Sequence, residues 1–76
     1  MGYGKRIRQL RETAGIAQGA LSQRAGFPRQ KDLCLRETGA QTMTEAEYLR
    51  AKASLLELVA ERDAAFAEAR KQESAV

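Results

Sequence analysis

Apolar residues recur along this chain at the three- and four-residue spacings of α-helices. In the first segment Ile7, Leu10 and Ala14 make one apolar stripe, which predicts a helix over about residues 4–13 with basic side chains on its other faces. Gly15 is a natural end for this helix, because glycine accepts the left-handed backbone found just past a helix.

A second short helix is predicted over residues 17–25, where Ala17, Leu21 and Ala25 share one buried face. Gly19 is unfavourable inside a helix by about 1 kcal/mol relative to alanine. It can mark the close approach of another backbone or of a phosphate, but we interpret it as a tolerated surface position.

A third helix is predicted over residues 28–38, because Gly26 separates it from the second helix and Pro28 suits the start of a helix. The connection between the two helices is only about three or four residues, which sets them at a steep angle and presents the second on a surface. This is the pattern of a helix-turn-helix. Leu33 and Leu35 cannot share one face of the third helix, so one of them must be partly exposed.

A long fourth helix is predicted over residues 45–72, a stretch without glycine or proline. Thr44 and Glu47 have the spacing of a capping box at its start. The half from Tyr48 to Val59 is expected to pack on the preceding helices, and the remaining half is expected to project beyond them.

The predicted fold class is therefore all-α: a compact helix-turn-helix domain of three short helices followed by one long C-terminal helix. Seventy-six residues allow one domain with a thin core. We divide it into a head of residues 1–44, a long helix of residues 45–72 and a disordered tail of residues 73–76.

The projecting half of the long helix would be only marginally stable without a partner. Leu55, Val59 and Phe66 lie on one apolar stripe and are the predicted interface of a homodimer. The alternative is a frayed, solvated end of the helix.

The composition argues against an enzyme and against a metal or cofactor site. The chain has no histidine and one cysteine, Cys34, which is expected to be buried and inert. No glycine-rich phosphate loop and no nucleophile with a nearby base can be found. Apolar runs are too short for a membrane span or a secretion signal, so the expected location is the cytoplasm, with association with the nucleoid through DNA.

Charge is unevenly distributed along the chain. Residues 1–38 carry eight basic and three acidic side chains, a net charge of +5, whereas residues 39–76 carry a net charge of −2. This distribution favours an anion-binding head with a tail that does not bind anions. The alternative is that arginine only solubilises the surface of a small helical domain.

A run of residues within the head also matches a known pattern. In order, it comprises Ile7–Glu12, Ala14–Ile16, Gln18, Leu21, Arg24–Gly26 and Glu37–Gly39. The run resembles the Cro/repressor (Xre-type) helix-turn-helix family over about half of the chain, from Lys5 to roughly Thr44. Two features depart from that family: one extra residue lies between Gly26 and Leu33, and Arg36 stands where the family usually has an apolar residue.

The resemblance implies a transcriptional repressor that binds double-stranded DNA with its third helix in the major groove. Gln18 matches the family's glutamine that anchors to the DNA backbone and buttresses the recognition helix. Arg29, Gln30 and Lys31 would read bases, because their side chains can pair with purine edges. The full set of expected DNA contacts is Lys5, Arg6, Gln18, Arg24, Arg29, Gln30, Lys31 and Arg36.

A second function from another class stays open. The long helix suits a small protein-interaction adaptor or an antitoxin-like protein. The departures of the third helix from the family pattern are the reason that this alternative stays open.

Overall fold

Every regular element in residues 2–74, the part of the chain that the computed structural model describes, is an α-helix. The four helices are α1 (Tyr3–Ala14), α2 (Gln18–Arg24), α3 (Gln30–Thr38) and α4 (Glu45–Ser74). The predicted all-α class, with three short helices and one long helix, is confirmed. The fourth helix extends to Ser74, two residues past the predicted end at residue 72, and Ala75 and Val76 of the predicted tail lie outside the described residues.

The first helix ends at Gly15 as the sequence predicts. Gly15 has φ of 71°, in the left-handed region, and its N–H donates to the carbonyl of Glu12 at 3.1 Å. Ile16 then donates to the carbonyl of Arg11 at 3.0 Å. These bonds satisfy the last carbonyls of α1 and direct the chain towards α2.

The third helix begins two residues later than predicted. Arg29 is extended and caps the helix, and its backbone N–H donates to the carboxylate of Asp32 at 3.1 Å. The Arg29 guanidinium also contacts this carboxylate and holds the pKa of Asp32 below its ordinary value. The local bond between Arg29 and Asp32, and not Pro28, therefore fixes where α3 starts.

The predicted capping box at the start of α4 is confirmed. The Thr44 hydroxyl accepts from the Glu47 N–H at 3.1 Å, and the Glu47 carboxylate accepts from the Thr44 N–H at 3.0 Å. This backbone hydrogen bond, reinforced by the nearby Arg36, holds the pKa of Glu47 below its ordinary value.

The core lies where α1 and α2 pack against both α3 and α4. Its members are buried apolar side chains from all four helices and the connecting loops. They are Ile7, Leu21, Ala25, Phe27, Leu33, Met43, Tyr48, Ala51 and Leu55.

Several sequence expectations about burial need correction. Leu10 and Ala17, placed on buried faces by their spacing, are exposed, because the core meets α1 and α2 over a narrower face than predicted. Cys34 is half-buried and not fully enclosed. The division between Leu33, which is buried, and Leu35, which is half-buried, is as expected.

Gly4 sets the distance between α1 and α3. A Cβ atom at this position would collide with the backbone carbonyl of Arg36, which cannot move without shifting α3. Nothing approaches the corresponding position of Gly2. Glycine at position 4 therefore lets the two helix backbones approach closely.

We expect Gly4→Ala to lower the free energy of unfolding by about 1–3 kcal/mol, because the added methyl group must push α3 away from α1. The matched control, Gly2→Ala, should change it by less than about 1 kcal/mol. Urea unfolding followed by circular dichroism measures both. Similar losses for the two variants would contradict the close approach.

Candidate nucleic-acid interface

A buried ion pair joins α1 to α3 beneath the helix-turn-helix. The Arg11 guanidinium donates to both carboxylate oxygens of Glu37, from Nε and Nη2, each at 2.9 Å. Its Nη1 donates to the carbonyl of Ile16 at 3.0 Å. Hydrogen bonding to Glu37 raises the pKa of Arg11 above its ordinary value.

Two glutamines extend this pair to the protein surface. Gln18 Nε2 donates to Glu37 Oε1 at 3.0 Å, and Gln30 Nε2 donates to Gln18 Oε1 at 3.1 Å. An ionised carboxylate only accepts hydrogen bonds, so Glu37 orients the Gln18 amide, and Gln18 in turn orients the Gln30 amide. The first side chain of α3 is thus fixed by a chain of hydrogen bonds that starts in the core.

Gly19 is part of this arrangement. A Cβ atom there would lie 3.1 Å from Gln30 Oε1, closer than side chains usually approach. No backbone atom approaches this position, so the contact involves only the end of a flexible side chain. The position admits the Gln30 side chain across the start of α2.

Two basic residues flank Gln30 at the exposed start of α3. The Arg29 side chain is 71% exposed and contacts Asp32 at 3.3 Å, an exposed pair that contributes little stability and leaves the guanidinium able to turn outwards. Lys31 is also exposed. A shallow depression of about 400 Å³ lies beside them, lined by Gly19, Ser22, Gln23, Phe27, Pro28, Arg29 and Gln30.

The structure therefore brings together four of the eight expected DNA contacts, Gln18, Arg29, Gln30 and Lys31. The other four lie elsewhere. Lys5 is exposed at the start of α1, beside the loop between α3 and α4.

Arg6 and Arg24 both contact α4. The Arg6 guanidinium lies 4.9 Å from the centre of the Tyr48 ring. Arg24 makes a two-bond ion pair with Glu61, in which Nη2 lies 2.8 Å from Oε1. A DNA phosphate would have to displace Glu61 to bind Arg24.

Arg36 does not present its charge at a DNA surface. Its Nε contacts Glu47 at 2.9 Å, its Nη1 donates to the carbonyl of Asp32 at 2.8 Å, and its guanidinium lies 5.3 Å from the centre of the Phe27 ring. The Arg36 side chain is thus packed inwards and joins α3 to α4. The expectation that Arg36 contacts DNA is corrected on this geometry.

The three residues predicted to form the dimer interface differ in their exposure. Leu55 is only 4% exposed and belongs to the core of its own chain, so it is not available to a second chain. Val59 is half-buried beside α1, and Phe66 is exposed. The apolar stripe read from the sequence therefore mixed one residue of the core with outward-facing positions.

Sequence analysis missed Arg11 and Glu37, which hold the site together. A signal was present, because Glu37 lies four residues after Leu33 and so shares the buried face of α3. An acidic residue on a buried face requires a partner. Which of the many arginines supplied it could not be read from the sequence.

Two further findings concern residues 2–74. They contain no cluster of three or more side chains able to hold a metal ion. No helix among them is both long and apolar enough to cross a membrane.

Replacing Arg11 with methionine should lower the free energy of unfolding by about 3–5 kcal/mol, because the Glu37 carboxylate would remain buried without its counter-ion. Arg8→Met is the matched control on the same helix. Arg8 forms only an exposed pair with Glu12, so its loss should leave the free energy of unfolding nearly unchanged. Thermal and urea unfolding measure both variants.

Replacing Arg11 and Glu37 together with apolar residues should be less destabilising than Arg11→Met alone, since no unpaired charge stays behind. A double variant that loses as much as the sum of its two single variants would contradict this account.

Comparison of the chain with protein-family models, with curated proteins and with solved structures finds no match.

Proposed function

We propose that the protein is a sequence-specific regulator that binds double-stranded DNA through α2 and α3, most simply a small transcriptional repressor. The observation that carries the proposal is the hydrogen-bond chain from Glu37 through Gln18 to Gln30. It fixes a polar amide at the exposed start of α3, where a recognition helix enters the major groove.

The chemistry of Gln30 suits base recognition. One N–H of its amide is used by Gln18, which leaves its carbonyl oxygen and second N–H for a base. That donor and acceptor pair matches N6 and N7 of adenine in the major groove. Because the amide is oriented before DNA arrives, binding does not have to freeze its rotation.

The charge around Gln30 supports the same function. Arg29 and Lys31 lie on either side of it, and the first 38 residues carry a net charge of +5. Contacts from Lys31 and other basic side chains of the head to phosphates would supply affinity without sequence preference and would weaken steeply with added salt.

The proposal includes a homodimer. Two heads related by a two-fold axis would read an inverted repeat with half-sites about 34–36 Å, or one helical turn, apart. A single head of this size makes few contacts, so tight operator binding requires both.

The second candidate function is a protein-interaction adaptor or antitoxin-like protein. It is favoured by the exposed apolar side chains of Leu49, Leu56 and Phe66 on α4. Duplex DNA binding that falls steeply with salt supports the regulator, whereas an adaptor would show no such binding.

Gln30→Ala and Arg29→Ala should each weaken binding to a site selected from random DNA by about 1–3 kcal/mol, because each removes a base contact. Binding to unrelated DNA should change little. Fluorescence anisotropy with both DNAs at one salt concentration measures the difference.

Gln72→Ala is the control for Gln30→Ala, since it removes the same side chain from an exposed position near the end of α4. It should bind as the unchanged protein does. Equal losses on selected and unrelated DNA for Gln30→Ala and Arg29→Ala would overturn their role as base readers.

Lys31→Ala should reduce the slope of log affinity against log salt by roughly one unit, because one phosphate contact is lost. Arg24→Ala should leave the slope nearly unchanged, since Arg24 is paired with Glu61. Titrations at several salt concentrations test both. A reduced slope for Arg24→Ala would show that phosphate displaces Glu61.

A further inference from the structure

The end of α4 extends beyond the head. Glu61 and Arg62 make its last contacts there, to Arg24 and to the carbonyl of Ala14. Residues 63–73 are exposed on every side. A helical stretch of this length is marginally stable in water on its own, so a partner that covers it would stabilise it.

Four large apolar side chains are exposed in residues 2–74, and three of them lie on α4. Leu10 is 41% exposed, Leu49 55%, Leu56 61% and Phe66 65%. Leu10 and Leu56 line the same groove of about 660 Å³ between α1 and α4, together with Val59. Leu49 and Phe66 lie on α4 on either side of Leu56 and Val59 along the chain.

One stripe of α4 has alternating steps of four and three residues, the spacing of a coiled-coil seam. Its first half is Glu45, Leu49, Lys52 and Leu56, and its second half is Val59, Asp63, Phe66 and Arg70. We name these eight positions the outer stripe. All of them are exposed except Val59, which is half-buried.

The order of residue types in the outer stripe is complementary to itself when one copy is reversed. The first half reads acid, apolar, base, apolar, and the second half reads apolar, acid, apolar, base. When one copy is reversed about the point between Glu57 and Leu58, every acidic residue lies opposite a basic residue of the other copy. Every apolar residue then lies opposite another apolar residue.

We propose that a second copy of this chain binds along the outer stripe in the antiparallel direction. In this pairing Leu49 packs on the partner's Phe66, and Leu56 packs on the partner's Val59. Lys52 pairs with the partner's Asp63, and Glu45 pairs with the partner's Arg70. The two-fold axis repeats each contact, so the interface is isologous.

A parallel arrangement is disfavoured by the same residues. Identical positions would then face each other along the seam, which would bring Lys52 to the partner's Lys52 and Asp63 to the partner's Asp63. Glu45 and Arg70 would meet their own copies in the same way. Four layers of like charge would replace four layers of opposite charge.

The charges of the outer stripe are available for a partner. Within residues 2–74, Glu45, Lys52 and Arg70 take part in no intrachain ion pair, and Asp63 contacts only its neighbour Arg62, at 3.3 Å in an exposed position. The paired stretch from Glu45 to Arg70 is about 38 Å long, and residues 63–70, which lie beyond one head, would cover residues 45–52 of the partner's α4.

The position of the outer stripe also orients the two heads. Around α4 it lies about a quarter turn from the face that carries Ala51 and Leu55 against the head. An antiparallel two-fold axis through such a seam leaves both heads on the same side of the helix pair.

The proposed association does not depend on DNA binding and can be tested without DNA.

The test is an exchange of charges between Lys52 and Asp63, measured by sedimentation equilibrium over a range of protein concentrations. Lys52→Glu and Asp63→Lys should each raise the dissociation constant of the dimer by about tenfold, because each puts like charges opposite each other at two symmetric places. The double variant restores opposite charges and should return to within about threefold of the unchanged protein. Both positions are exposed, so circular dichroism at protein concentrations where each variant is dimeric should show unchanged helical content.

The antiparallel direction of the two α4 helices is tested by cross-linking with a short bismaleimide in a Cys34→Ser background. A mixture of the Leu49→Cys and Phe66→Cys proteins should link one variant to the other, and neither should link efficiently to itself. A monomer at all concentrations, a double variant as weak as the single ones, or links between identical variants would overturn the proposal.

Discussion

The buried ion pair between Arg11 and Glu37 is the contact on which the head depends. A carboxylate enclosed in the core is strongly unfavourable without a counter-ion, so a fold that buries Glu37 must bring a counter-ion to it, and in this fold the counter-ion is Arg11. This requirement ties α1 to α3. Gln18 adds α2 to the same carboxylate, and one ionic group thereby sets the relative positions of three helices.

The same pair links the stability of the head to its candidate function. Gln18 orients the amide of Gln30, and Glu37 orients Gln18. The position of the Gln30 amide at the surface therefore depends on the buried carboxylate of Glu37. Gly4 contributes by allowing the close approach of α1 and α3. A Gln30 amide that is oriented before a ligand binds favours discrimination between ligands.

The long helix α4 has one face in the core of the head and another face that is exposed. Its inner face, with Tyr48, Ala51 and Leu55, completes the core of the head. Its outer stripe carries alternating charges and apolar side chains that the head leaves exposed. Because the two faces share no residue, substitutions on the outer stripe leave the core of the head unchanged.

The sequence alone determined the order and kind of the helices, the stop at Gly15 and the capping box at Thr44 and Glu47. These features depend on contacts within a few residues, which the local pattern records. Only the tertiary structure decided that Leu55 is buried and that Arg36 is drawn inwards. It also paired Arg11 with Glu37, 26 residues away in sequence, because a choice among many arginines is made by the packing of helices and not by spacing along the chain.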